Sequence, residues 1–122
     1  ENALMSACKK TGASVKEYTA GPLYMSDKSK GAHEWMIEFE TQPGSLEDFV
    51  NELDQALSSI NSDYEAKRYK NLTLLKPKVI SLKPETFYKW MQKRGKLGGQ
   101  NKIPRLANDR KYLDELSDIL NP

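Results

Sequence analysis

The sequence predicts an α+β domain, with a small mixed β-sheet of about three strands flanked by helices in the order α-β-β-α-β-α-α. Apolar and polar residues alternate over residues 33–41, which is typical of a β-strand. Residues 46–60 carry an apolar stripe at helical spacing, which is typical of an amphipathic helix. A chain of 122 residues is long enough for one domain with one modest core.

The N-terminal segment predicts a helix and then a β-hairpin. Residues 1–10 carry small and apolar side chains at helical spacing, and Gly12 is a suitable stop after them. Residues 15–22 predict a first strand and residues 33–41 a second strand, with a polar turn between them. We expect alternate side chains of the second strand to face the core and the others to face water. The core-facing set is Trp35, Ile37 and Phe39, and the solvent-facing set is Glu34, Met36, Glu38 and Glu40.

A long helix is predicted after the Pro-Gly break at residues 43–44. Ser45 is a suitable N-cap, and Asp48 three positions on resembles a capping box with a shorter acid. Burying the apolar stripe would contribute on the order of 10 kcal/mol before the entropy of folding is subtracted. The stripe consists of Leu46, Phe49, Val50, Leu53, Ala56, Leu57 and Ile60. Residues 63–70 predict a second, short helix that is either solvated or faces a partner domain.

The C-terminal part predicts one strand and two helices. Residues 78–82 form the third strand. Pro84 would open the next helix, since its missing N–H has no helical partner there, and Gly95 would end it. Asn108 would cap the last helix, with Asp109 at its positive end. The expected apolar faces are Phe87, Trp90 and Met91 for the first helix, and Tyr112, Leu113, Leu116, Ile119 and Leu120 for the second.

Positive charge is concentrated in the first of these two helices and in the stretch that follows it. Residues 86–108 contain six of the 19 Lys and Arg residues, and all 17 Asp and Glu residues lie elsewhere. The net charge of the chain is only +2. This distribution suits a phosphate or another small anion better than the broad footprint of a nucleic acid.

The centre of this stretch, residues 94–105, combines four basic side chains with three glycines and a proline. This composition excludes a regular helix and predicts a loop. Ile103 can anchor the loop to the core and Pro104 stiffens it, so Lys102 would be held in a defined place. An ammonium there could stabilise the charge that develops when a carboxylate attacks the α-phosphate of ATP. Backbone N–H groups of the glycines at 98–99 could approach the same anion.

Simpler explanations are available for these and other residues. The loop could be a solvated connection in which Arg105 only pairs with an acid such as Asp109. His33, the one histidine, is expected at the surface rather than as a catalytic base. No His, Cys and carboxylate spacing indicates a metal site, and no phosphate-binding or dinucleotide motif is present. The aromatic side chains expected in the core are Trp35, Phe49, Phe87 and Trp90.

The totals are ordinary for a soluble globular protein, with 38% hydrophobic and 30% charged residues. Cys8 is the single cysteine, so no disulfide can form within the chain, and we expect a reducing, cytoplasmic location. No segment approaches the roughly 20 apolar residues of a membrane span.

Residues 96–106, with the sequence KLGGQNKIPRL, resemble the C-terminal signature of the plant auxin-responsive promoter family of acyl-acid amido synthetases and its bacterial relatives. The flanking residues 86–90 and 108–113 are similar to that family, and so are residues 44–46 and 57–64. The resemblance covers most of the chain, and we expect a bacterial member of the family.

Membership of this family implies an acyl-adenylate-forming ligase of the firefly-luciferase superfamily. Such enzymes use ATP and Mg²⁺ to make an acyl-AMP, and this branch then transfers the acyl group to an amino acid amine. Their small C-terminal domain rotates between the two half-reactions and brings a lysine into the active site for adenylation. By motif match this catalytic lysine is Lys102. The match implies cofactor-binding positions at Gly98, Gly99, Gln100, Asn101 and Arg105, with Asn101 in place of the superfamily's glycine.

The resemblance therefore makes residues 1–122 the C-terminal lid domain of a larger enzyme, with the hinge expected just before Glu1. We expect the chain alone neither to bind ATP tightly nor to turn over. Its partners would be its own N-terminal catalytic domain and, in the full-length enzyme, a carboxylic acid and an amino acid, with no nucleic acid and no membrane. The alternative is a non-catalytic binding module whose basic, glycine-rich loop docks an acidic partner or a nucleic acid, with strong salt dependence in the latter case.

Overall fold

The structure, a computed structural model, describes residues 2–24, 31–71, 74–93 and 109–120. In these ranges the chain forms a three-stranded sheet, five helices and one 3-10 turn, which confirms the predicted α+β class. The helices are α1 (Asn2–Thr11), α2 (Leu46–Ile60), α3 (Ser62–Arg68), α4 (Thr86–Lys93) and α5 (Lys111–Leu120). The strands are β1 (Ser14–Tyr24), β2 (Gly31–Thr41) and β3 (Lys78–Leu82), and the 3-10 turn covers Tyr69–Asn71.

The sheet is mixed, as predicted, with β2 at its centre. β1 runs antiparallel to β2, so that Tyr18 lies opposite Ile37. β3 runs parallel to β2 and places Ile80 opposite Met36. A parallel pair needs a long crossover, and α2 and α3 provide it.

One face of the sheet packs against α1 and α2. Trp35, Ile37 and Phe39 are buried on this face, as predicted. Phe39 meets Phe49 of α2 edge to face, with 5.1 Å between ring centroids. The stripe of α2 is shorter than predicted, because its end residue Ile60 is 60% exposed. Leu46, at the other end of the stripe, is 38% exposed.

The other face of β2 is buried too, which corrects the prediction of a solvent-exposed face. Glu34, Met36 and Glu38 are 3%, 1% and 2% exposed, and of the four predicted positions Glu40 alone is exposed. A second core covers this face, because α4 and α5 pack on it. Its buried members are Met36, Leu82, Phe87, Trp90, Leu113 and Leu116.

Two predicted helix starts differ from the observed ones, whereas the cap of α2 is confirmed. Ser45 accepts a hydrogen bond from the backbone N–H of Asp48 at 3.2 Å. Pro84 does not open α4, which begins two residues later at Thr86. The Asp109 carboxylate accepts the N–H of Lys111 at 3.0 Å and so caps α5, whereas the predicted cap at residue 108 lies outside the described residues.

Candidate functional site

The predicted site residues all lie outside the described residues. They are Gly98, Gly99, Gln100, Asn101, Lys102 and Arg105. The structure describes the two helices that join this segment to the domain, with α4 ending at Lys93 and α5 preceded by Asp109. The contacts of these helices define where the segment leaves the domain and where it returns.

The start of α4 is held by a buried carboxylate of β2. Glu38 accepts the backbone N–H of Glu85 and of Phe87, each at 3.0 Å. The N–H of Phe87 belongs to the first turn of α4 and that of Glu85 immediately precedes it, so no helical carbonyl can pair with either. Glu85 has a φ of 71°, a backbone conformation that side-chain-bearing residues rarely adopt. Lys16 lies beside both acids, with its Nζ 3.9 Å from Glu38 Oε2 and 3.7 Å from Glu85 Oε1.

Helices α4 and α5 are joined by a polar and aromatic contact. The indole N–H of Trp90 donates to Glu115 Oε1 at 2.8 Å. The Trp90 ring meets the Tyr112 ring edge to face, with 5.4 Å between centroids. Trp90 itself is 1% exposed, so this contact lies in the interior. The two helices therefore support the predicted loop as one packed unit.

The start of α5 is held by an ion pair with β2. Arg110 Nη1 donates to Glu34 Oε1 at 2.7 Å and to the carbonyl oxygen of Pro22 at 2.9 Å. Its Nη2 lies 3.3 Å from Asp114 Oδ1. Burial acts against the charged guanidinium, but the hydrogen bond that it donates to Glu34 and the two acidic charges outweigh this effect and raise the pKa of Arg110. Arg110 thus stays charged and ties α5 to both strands of the hairpin.

A close backbone approach supports the same junction. A Cβ atom at Gly21 would lie 2.9 Å from the carbonyl oxygen of Asp109 and 3.0 Å from Leu113 Cδ1. Glycine is therefore required where β1 passes under the start of α5.

A second polar cluster joins α2 to Tyr64 and Arg68 of α3, whose other residues are exposed, as the solvated alternative predicts. A contact of this helix with a partner domain stays a prediction. Arg68 makes a bidentate pair with Asp54 at 2.7 and 2.6 Å and donates to the carbonyl oxygen of Leu74 at 3.2 Å. Tyr64 is 6% exposed and donates its hydroxyl to Asp54 at 2.7 Å. Burial and the bond to Asp54 raise the pKa of Tyr64. His33 is exposed, as predicted, and stacks on Tyr64 with 6.1 Å between centroids.

The remaining candidates are structural or were not found in the described part of the chain. The four aromatic residues expected in the core, Trp35, Phe49, Phe87 and Trp90, are all buried. Among the residues that the structure describes, no three His, Cys, Asp or Glu side chains come together as metal ligands would. None of the described helices combines the length and apolarity that crossing a membrane requires.

The sequence did not identify Glu34, Glu38 and Arg110 as residues that hold the helices next to the candidate site. The available signal was weak, namely two acids four positions apart in a strand that is apolar at every position between them. Buried carboxylates need partners. The hydrogen-bond donors to these two acids lie 47 to 76 positions away, so no local pattern could identify them.

Comparison with known proteins now defines the class of this domain. The model of the GH3 family C-terminal domain matches residues 1–111, so the chain belongs to the GH3 family, the auxin-responsive promoter family that it resembles in sequence. A solved GH3.15 acyl acid amido synthetase matches with a TM-score of 0.70 and 17% identity, over 95% of this chain and 23% of that one. AtGH3.15 acyl acid amido synthetase in complex with 2,4-DB matches with a TM-score of 0.70 and 16% identity, over 95% of this chain and 22% of that one.

These matches differ in what they establish. At 16–17% identity, the solved structures show a shared fold. The chain spans less than a quarter of the length of these structures. No curated protein sequence matches the chain. The bacterial origin expected from the sequence stays a prediction.

Proposed function

We propose that this chain is the C-terminal lid domain of an ATP-dependent acyl-acid amido synthetase, and that it supplies Lys102 for acyl-adenylate formation. The observation that carries the proposal is the family match over residues 1–111, a range that contains all six proposed site residues. The fold shared with an acyl acid amido synthetase supports it. The partner of this domain would be an N-terminal catalytic domain that binds the carboxylic acid and the amino acid. A cytoplasmic location, where ATP is available, belongs to the same proposal.

The proposed reaction has two steps with different needs. In the first, a carboxylate oxygen attacks the α-phosphorus of ATP, the bond to pyrophosphate breaks, and an acyl-AMP forms. The ammonium of Lys102 would attract the developing charge by about 4 kcal/mol at 4 Å and an effective dielectric near 20. In the second, an amino acid amine attacks the acyl carbon, an amide bond forms, the amine loses a proton, and AMP leaves. Only the first step needs the lysine.

The residues of the predicted loop suit phosphate oxygens rather than a metal ion. Lys102 and Arg105 are cations, and the glycines at 98–99 offer backbone N–H groups, all of which donate to phosphate. Mg²⁺ prefers oxygen ligands such as carboxylates, and residues 86–108 contain no Asp or Glu. We therefore assign Mg²⁺, which neutralises phosphate charge when bound, to the catalytic domain. Isothermal titration calorimetry of this chain alone should detect no tight ATP binding.

The test is Lys102→Ala in the full-length enzyme, with Lys89→Ala as a matched control. Lys89 is an exposed basic residue of α4 in the same positively charged stretch. Lys102→Ala should slow ATP–pyrophosphate exchange by about 10²–10³-fold. It should spare amide formation from preformed acyl-AMP, and Lys89→Ala should spare both steps.

Equal loss of both half-reactions in Lys102→Ala, or no loss in either, would reject the adenylation role. Retained activity together with tight, salt-sensitive binding of nucleic acid would favour the non-catalytic binding module instead.

A further inference from the structure

We propose that Glu34 and Arg110 are positioning residues for adenylation. In this inference, which rests on the proposed function, their ion pair fixes the start of α5 and so orients the segment that carries Lys102. Neither residue would touch the substrate, and both would act through the lysine.

The burial of the pair is the first argument. The side chain of Glu34 is 4% exposed and that of Arg110 is 26% exposed, at an Nη1–Oε1 distance of 2.7 Å. Withdrawing two charges from water costs about as much as their attraction returns, so a buried ion pair is often no more stabilising than apolar side chains of the same volume. What such a pair does provide is a single direction of approach, because Glu34 would be a lone buried charge unless Arg110 meets it. The pair therefore specifies where α5 begins more strictly than apolar packing would.

The convergence of contacts at this junction is the second argument. Arg110 bonds to β2 through Glu34 and to β1 through the carbonyl oxygen of Pro22. Immediately before it, the backbone of Asp109 passes so close to Gly21 that no side chain would fit between them. Three independent contacts thus fix residues 109–110 on the hairpin. Residues 109–110 are the first described residues after the segment that holds Lys102.

The symmetry of the two supports is the third argument. Glu38 lies four positions after Glu34 on the same face of β2, roughly 13 Å along the strand. It holds the start of α4, whose other end at Lys93 adjoins the basic segment, whereas Glu34 holds the end of α5 that adjoins this segment directly. One strand therefore presents two buried carboxylates to the two helices that flank the basic segment. A displacement of about 1 Å at such a support can cost up to about 10²-fold in rate, because catalysis depends on the position of the reacting groups.

A second ion pair in the same domain provides a matched control. Asp54 and Arg68 form a bidentate pair with side-chain exposures of 16% and 15%. This pair joins α2 to α3, whereas the pair of Glu34 and Arg110 joins β2 to the start of α5. Glu34→Gln and Asp54→Asn each remove one carboxylate charge from a partly buried arginine while keeping the shape of the side chain.

The experiment compares these variants in the full-length enzyme. For each, ATP–pyrophosphate exchange, amide formation from preformed acyl-AMP, and the thermal unfolding midpoint are measured. Glu34→Gln should lower exchange by about 10-fold or more relative to the amide step. Asp54→Asn should lower the unfolding midpoint while leaving the ratio of the two rates within about twofold of the parent. Arg110→Lys keeps the charge but loses the planar fork, so it should shift the ratio in the same direction by a smaller factor.

An unchanged ratio in both Glu34→Gln and Arg110→Lys would overturn the positioning role, and so would a ratio that Asp54→Asn shifts equally. Arg110→Lys decides the matter if Glu34→Gln does not fold. Lys102→Ala, assayed in parallel, separates the two proposals. If it shifts the ratio while the Glu34 and Arg110 variants do not, only the positioning role fails. If it leaves the ratio unchanged, the adenylation role itself fails.

Discussion

Replacing Glu38 with glutamine should destabilise this domain by about 2.5–6 kcal/mol. The carboxylate accepts two backbone N–H groups, those of Glu85 and Phe87, each at 3.0 Å. A hydrogen bond to a charged group contributes about 1.5–3 kcal/mol. Glutamine has one amide oxygen and can keep only one of the two bonds. Its NH₂ group would face the second N–H, and a buried unpaired donor costs about 1–3 kcal/mol more.

Glu40→Gln is the matched control for this substitution. Glu40 lies two positions further along the same strand and is exposed. The same loss of one charge there should change the free energy of unfolding by no more than about 0.5 kcal/mol. The difference between the two variants therefore reports the two N–H bonds of Glu38 together with its 3.9 Å ion pair to Lys16, separate from the general effect of losing one charge on this strand.

Urea unfolding followed by tryptophan fluorescence measures the effect directly, because Trp90 is buried on the helix that Glu38 caps. In thermal unfolding, the midpoint of Glu38→Gln should fall by about 10–24 °C, at roughly 4 °C per kcal/mol for a domain of this size. If Glu38→Gln and Glu40→Gln agree within about 0.5 kcal/mol, the carboxylate does not cap α4 in the way described.

Two further predictions concern packing and pH. Gly21→Ala should lower the free energy of unfolding by about 1–3 kcal/mol in thermal unfolding, because its Cβ would lie 2.9 Å from a backbone oxygen. Gly44→Ala, whose Cβ would face open space, should not lower it. Equal effects of the two substitutions would contradict the close approach. Burial of Asp54 opposes its ionisation, but the hydrogen bonds from Arg68 and Tyr64 outweigh that effect and lower the pKa of Asp54. The unfolded chain then binds more protons in acid, so stability is lost as the pH falls through this lowered pKa, and Asp54→Asn should flatten the pH dependence of the unfolding free energy below about pH 4. A variant that loses stability in acid as steeply as the parent would contradict this assignment.

Local periodicity was sufficient to predict the elements of the fold. The alternation through Trp35 and Ile37 predicted β2 and its buried face, and the third strand was predicted at residues 78–82, where β3 is observed. The second face of β2 was predicted wrongly because Glu34 and Glu38 resemble ordinary exposed acids in a strand. Their burial depends on Arg110 and on the backbone of α4, which only the three-dimensional topology brings to them.

The candidate site was predicted from a different kind of information. Residues 96–106 carry a motif, and the family match over residues 1–111 confirms the family that the motif indicated. The role of Lys102 stays a prediction, since it lies outside the described residues. The contacts that hold α4 and α5 on the sheet could not be predicted, because an ion pair such as Glu34–Arg110 produces no periodic pattern in the sequence. Likewise, Tyr64 and Arg68 lie in a short charged helix, and nothing local distinguishes their bonds to Asp54 from a solvated surface.

The distance along the chain between Glu34 and its partner also has a consequence for biosynthesis. Arg110 follows Glu34 by 76 positions, so at 5–20 residues per second a ribosome adds it roughly 4–15 s later. Over the first 52 positions of that interval (from residue 34 to residue 86) the nascent hairpin has neither α4 nor α5 to cover Met36 and the two carboxylates, and α5 is still absent when Arg110 is added. The face of the sheet on which α4 and α5 pack can therefore be fully covered only after translation has passed residue 120. Until then this face of the nascent chain is accessible to chaperones and proteases.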